Sequence, residues 1–201
     1  MIPRFRALAC QTIVRPITED VMTRQEGRAI IKDNLDAALN LMWKGLGNNL
    51  GAVKLVTFPE MFLTLAPVWR NRKSSDWLDL ACVEVPGPEL KPLFEAARQA
   101  QVYIGANVYE YDPKWPGRYF NCSFLVSPDG EVLLKYRRLY STLTPSPHDF
   151  LDDYVDALGW DALFPVADTE IGKIAMFPCR EITFPEVARM FALKGAELLI
   201  H

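Results

Sequence analysis

The chain has 201 residues, half of them hydrophobic and 23% charged, with a formal net charge of −3. That apolar content over this length supports one sizeable core. The mixed, slightly acidic charge excludes a disordered segment and argues against nucleic acid as a partner. No apolar run approaches the roughly 20 residues of a membrane span, and no leader-like apolar stretch follows Arg4 and Arg6, so no membrane partner is expected and the cytoplasm is the default location.

In chain order, residues 5–14 read as a first strand. A helix is predicted over 25–46, where Ile31, Leu35, Ala38, Leu39, Met42 and Leu46 keep helical spacing. "GLGNNLG" at 45–51 ends it; these glycines follow a helix and miss the spacing of a dinucleotide loop, so they read as a cap and a loop. "AVKLVTF" (52–58) is an apolar strand ending in "PEMF", and 62–88 reads as irregular. "PGPELKPLFEAARQAQ" (86–101) passes from a turn into a helix, and "VYIGANVYEY" (102–111) is a strand. Residues 119–136 read as a hairpin turning at "SPDG". Residues 140–162, rich in Pro, Asp and Tyr, read as an irregular loop, and "EIGKIAMF" (170–177) as a strand. Thr183 and Glu186 fit a capping box, with Pro185 in the first helical turn and Gly195 as the stop, before a last strand at 196–200. Strands alternating with helices, several of them apolar throughout, predict an α/β protein whose strands are covered on both faces.

The four cysteines, Cys10, Cys82, Cys122 and Cys179, form no CxxC pair, and neither His148 nor His201 has metal-ligand spacing around it, so no metal site is expected. Cys10 and Cys122 lie in apolar strand-like runs and read as small buried hydrophobes. Cys179 differs: it closes an apolar run, is followed at once by Arg180 and Glu181, and precedes a helix. Helix N-termini and neighbouring cations favour a thiolate. Ligand sites in α/β sheets collect at the carboxyl ends of strands, and three strands here end in Glu60, Lys135 and Cys179. Read alone, Glu60 is equally a surface acid after Pro59, and Lys135 a solvated strand end. Read together, they supply a thiol nucleophile, a carboxylate base and a cation for an oxyanion. A Cys–His pair would rest on His148.

The stretches "FPEMF" (58–62), "KYRRLY" (135–140) and "CREITFPE" (179–186), in this order, resemble the nitrilase superfamily of carbon–nitrogen hydrolases, and the resemblance spans nearly the whole chain. It implies a nitrilase-like αββα sandwich. It also implies Glu60 as general base, Lys135 as electrostatic stabiliser and Cys179 as nucleophile, acting on a small linear amide, carbamoyl compound or nitrile through a thioester or thioimidate. Water is the second substrate. No organic cofactor or metal is implied, and a homodimer or higher homo-oligomer is.

Many family members carry a second glutamate after the lysine. Residues 139–168 contain no Glu, and Asp149 is the candidate replacement. Pro178 removes a backbone donor beside the nucleophile, leaving the Arg180 N–H for an oxyanion. Family chains continue past the strand that follows the nucleophile helix, so residues 1–201 read as a carbon–nitrogen hydrolase domain incomplete at its C-terminus. The alternative is an inactive or truncated homologue serving as an interaction or structural subunit; cysteine-based redox chemistry, with Cys82 as a remote partner, is a further one.

Overall fold

The structure, a computed structural model, describes residues 3–48, 51–67, 73–141 and 144–201. Strands β1 (Arg6–Ala9), β2 (Val53–Thr57), β3 (Tyr103–Tyr111), β4 (Tyr119–Val126) and β5 (Val132–Arg137) form one sheet in sequential order. The first three are parallel, and the last two join antiparallel. Helix α1 (Arg24–Gly47) connects β1 to β2; α2 (Ser74–Ala81) and α3 (Lys91–Ala100) lie between β2 and β3. After the hairpin come α4 (Leu151–Leu158) and a second sheet of β6 (Ala167–Thr169), β7 (Gly172–Met176) and β8 (Leu198–Ile200), with α5 (Pro185–Leu193) crossing from β7 to the parallel β8. Among the described residues no helix is long and apolar enough to cross a membrane.

Two apolar clusters flank the first sheet, and strand alternation assigns residues to each. Val56, Ile104, Ala106, Phe124 and Val126 point to the helices, where α1 contributes Ile30, Ile31, Leu35, Ala38 and Met42 and α3 contributes Leu93, Phe94 and Ala97. Leu55, Tyr103, Leu125, Leu134 and Tyr136 point the other way, to Ile174, Ala175 and Met176 of β7 and Phe191 of α5. Gly105 permits the close approach of the sheets: a Cβ there would stand 3.1 Å from Met176 Cε. The α/β reading, with two sheets face to face and helices covering the first, is the observed architecture.

Local signals explain most boundaries. Thr23 caps α1 by accepting from the Glu26 N–H while Glu26 Oε2 accepts from the Thr23 N–H at 2.9 Å. Gly195 (φ +89°) stops α5: its N–H donates to the Ala192 carbonyl and the Ala196 N–H to that of Phe191, the two bonds of a Schellman end. At the other end of α5 the expected capping box does not form. Thr183 belongs to a 3₁₀ stretch, Cys179–Thr183, and its hydroxyl donates to the Arg180 carbonyl at 2.7 Å; the N-cap is Phe184, with Pro185 first in the helix.

Three other expectations change. The first strand is four residues long, not ten. Helices α2 and α4 occupy stretches that read as irregular. Each has eight residues, barely two turns, too short for a helical period to stand out. Residues 49–50 of the "GLGNNLG" loop lie outside the described residues.

Candidate active site

The carboxyl ends of β2 and β7 face one another across the two sheets, and a cavity of about 350 Å³ opens between them. Glu60 enters from the first sheet. The β2 ladder continues one residue beyond the strand, through the Phe58 N–H to the Gly105 carbonyl, and Pro59 then turns the chain. Met61 is held in a left-handed conformation (φ +55°), and its N–H donates to Asn107 Oδ1 at 3.0 Å. The stack of Phe58 on Phe62, centroids 5.0 Å apart, anchors the turn in the core. Cys179 enters from the second sheet, after Phe177 and Pro178, and also takes a positive φ of 45°. Its thiol is exposed, whereas Cys10, Cys82 and Cys122 are buried, as read from the sequence for Cys10 and Cys122. Cys10 additionally lines the cavity wall.

Glu60 is clamped from the floor. Asn121 Nδ2 donates to its Oε1 at 2.7 Å, and Asn107 Nδ2 donates in turn to Asn121 Oδ1 at 2.7 Å and Ser123 Oγ at 3.0 Å. Both asparagines are buried. These bonds fix the place of the carboxylate at the cavity wall.

Partial desolvation, the charge of Glu60 and its hydrogen bond to the thiol push Cys179 above the ordinary thiol value; the charge of Arg138 and the Arg180 backbone N–H act in the opposite direction. The sequence reading expected a thiol lowered by its corner. The structure corrects that: partial burial and the anion of Glu60 raise the thiol instead.

Lys135 is not brought to this cavity. It stands opposite Phe124 in the β4–β5 ladder, on the helix-facing side of the sheet. There its Nζ donates to Glu110 Oε1 at 2.6 Å and to the Val85 carbonyl at 2.9 Å. Arg137, on the same face, holds the same buried Glu110 through Nε at 2.6 Å and Nη2 at 3.0 Å. Of the cations of "KYRR", Arg138 is the one whose charge acts on the thiol, and its Nε donates to the Tyr140 carbonyl at 3.0 Å. Its backbone N–H donates to the Asn121 carbonyl at 2.8 Å, extending the ladder so that Arg138 lies opposite the asparagine that clamps Glu60. Its guanidinium lines a neighbouring cavity of about 480 Å³ together with Arg180 and Glu181. The period-two rule separates positions 135 and 137 from 136 and 138; the fact missing from the sequence is which set meets the second sheet.

Asp149 lies outside the cavity lining as well: its Oδ2 accepts from the Ser146 N–H at 2.9 Å, capping the short 3₁₀ turn that opens α4, and its Oδ1 is 3.5 Å from His148 Nδ1. His148 stacks edge-on against Tyr140 and does not line the cavity, whereas His201 does. Glu181 is fully buried two residues after Cys179 and accepts from Tyr136 Oη at 2.8 Å, the Leu139 N–H at 2.9 Å and the Tyr140 N–H at 3.3 Å. It thereby ties the segment following Arg138 to the segment following Cys179.

The family model described as carbon-nitrogen hydrolase matches residues 31–201. The chain belongs to the carbon-nitrogen hydrolase family. Among its curated relatives are proteins named formamidase from Bacillus thuringiensis (strain Al Hakam) and Bacillus cereus (strain AH820). Each is 34% identical over 150 residues, covering 74% of this chain and 41% of the relative. The chain thus spans less than half the length of these relatives. In fold, it resembles Saccharomyces cerevisiae Nit3, a member of branch 10 of the nitrilase superfamily, with a TM-score of 0.65 at 24% identity over 84% of this chain and 57% of that one. It also resembles an amidase variant from Nesterenkonia sp. AN1 with a TM-score of 0.58 at 20% identity, over 99% of this chain and 66% of that one. That structure shows covalent addition of the acetamide moiety of fluoroacetamide at the active-site cysteine.

Proposed function

We propose that this carbon-nitrogen hydrolase cleaves a small linear amide, with Cys179 as nucleophile, Glu60 as base and Arg138 in the role first read into Lys135. The single observation that carries the proposal is that an asparagine-clamped carboxylate, Glu60, and an exposed thiol, Cys179, line the same cavity from the two sheets. Glu60 takes the thiol proton as sulfur attacks the carbonyl carbon. The resulting oxyanion meets the Arg180 N–H and the charge of Arg138. Collapse breaks the carbon–nitrogen bond, the amine leaves with the proton from Glu60, and an acyl thioester remains. Glu60 then deprotonates a water that attacks the thioester, and the thiol is regenerated. The name formamidase borne by the 34%-identical relatives favours a short amide over a nitrile.

The test is ammonia release from a panel of short amides, carbamoyl compounds and nitriles, with intact-mass trapping of the acyl adduct. Adduct at Cys179 and its loss in Cys179→Ala are expected. Folded protein that gives neither ammonia nor adduct would reject the hydrolase reading and leave a non-catalytic subunit.

A further inference from the structure

One imidazole in the cavity has no part in the hydrolysis just described. His201 follows β8, and β8 runs parallel to β7 with Met176 paired to Ile200. The Phe177 N–H donates to the Ile200 carbonyl at 3.2 Å, carrying the pairing past the end of β7. Two parallel strands that end together deliver the residues beyond them to the same place: Cys179 after one, His201 after the other. His201 Nε2 stands 2.8 Å from the Cys179 carbonyl oxygen, and its ring packs edge-on against Phe177 with centroids 5.3 Å apart.

A carbonyl oxygen carries no proton, so Nε2 is the donor in this bond and is unavailable to accept one from the thiol. The bonded oxygen belongs to the peptide group joining Cys179 to Arg180. That group is planar, and its other end is the Arg180 N–H. This N–H counters the upward push on the thiol. Holding the oxygen therefore sets the direction of the N–H, and drawing electron density toward the oxygen strengthens that N–H as a donor. The nucleophile also sits at a φ of +45°, a left-handed conformation that a non-glycine residue keeps only when its surroundings impose it. We infer that His201 is a positioning residue: by donating to the Cys179 carbonyl it holds the nucleophile's left-handed turn and aims the Arg180 N–H at the sulfur and the oxyanion.

The inference rests on Cys179 as nucleophile, and its test separates it from the hydrolase reading. His201→Phe keeps a ring against Phe177 but has no donor, whereas His201→Gln restores an N–H at a similar reach. Two readouts are needed: kcat and KM on whichever amide of the panel is turned over, and the pH profile of iodoacetamide alkylation of Cys179, which requires no turnover. Expected for His201→Phe is a kcat lowered by about tenfold or more with KM within roughly twofold, and an alkylation profile moved to higher pH. His201→Gln recovers most of both. A folded His201→Phe protein with unchanged kcat and alkylation profile overturns the inference, as does a His201→Gln protein as impaired as His201→Phe. An alkylation profile that responds as described in a chain turning over no amide sustains the positioning role while the hydrolase reading fails.

Discussion

Lys135 and Arg138 are three residues apart in one motif, on opposite faces of the strand, and the proposed function gives them different tasks that a pair of substitutions separates. Lys135→Met removes one charged donor from Glu110, which is 1% exposed; the lysine side chain itself is 32% exposed. A hydrogen bond to a charged group contributes about 1.5–3 kcal/mol. Because Lys135 is partly solvated and Glu110 keeps both Arg137 donors, the loss falls at the lower end, about 1–2 kcal/mol, well short of the roughly 3–5 kcal/mol that stripping a buried charge of its partner costs. For a chain of this size each kcal/mol lowers the melting temperature by about 2–4 °C, so a drop of roughly 2–8 °C is expected. Turnover per folded molecule stays near wild type. Arg138→Ala is the reverse: the melting temperature barely moves, and kcat falls by about 10²–10³, the usual effect of removing one oxyanion-stabilising group. Differential scanning fluorimetry and ammonia release on the same preparations read both quantities. A Lys135→Met protein with unaltered melting temperature and no turnover, beside a fully active Arg138→Ala protein, would show that the strand faces have been assigned the wrong way round.

Glu60→Gln removes the anion that raises the Cys179 thiol. A thiol with a raised pKa holds less thiolate at any pH below it, so the variant's iodoacetamide profile moves to lower pH even as turnover disappears; a profile that stays put or rises contradicts the contact. Asn121→Leu deprives Glu60 of its donor and leaves Asn107 Nδ2 with only Ser123. It is expected to cost about 1–3 kcal/mol in denaturant unfolding and to lower kcat. Phe191→Ala removes a fully buried ring packed on Tyr136, Phe164 and Phe177. The expected loss is about 3–5 kcal/mol by denaturant melt, and a loss under about 1 kcal/mol would mean that α5 does not pack as described.

The amino-acid sequence determined the local facts of this protein: the long period of α1 and its boundaries, the hairpin turning at 127–130, the glycine that stops α5, and the placing of a carboxylate and a thiol just beyond two strand ends. Each of these follows from residues within a few positions of one another. Tertiary structure alone decided which face of β5 meets the second sheet, and so that Lys135 turns to the helices and to Glu110. It also decided that Glu60, 61 positions away from Asn121, is clamped by it. The same holds for the thiol: whether its corner lowers or raises it depended on partial burial and on the carboxylate arriving from the other sheet, more than on the helix and arginine beside it. His201 belongs with these, since only the parallel pairing of β7 with β8 brings that imidazole to the peptide group of Cys179. Periodicity tells which residues of a strand share a face; which face looks into the cavity is settled by what the rest of the chain packs against it.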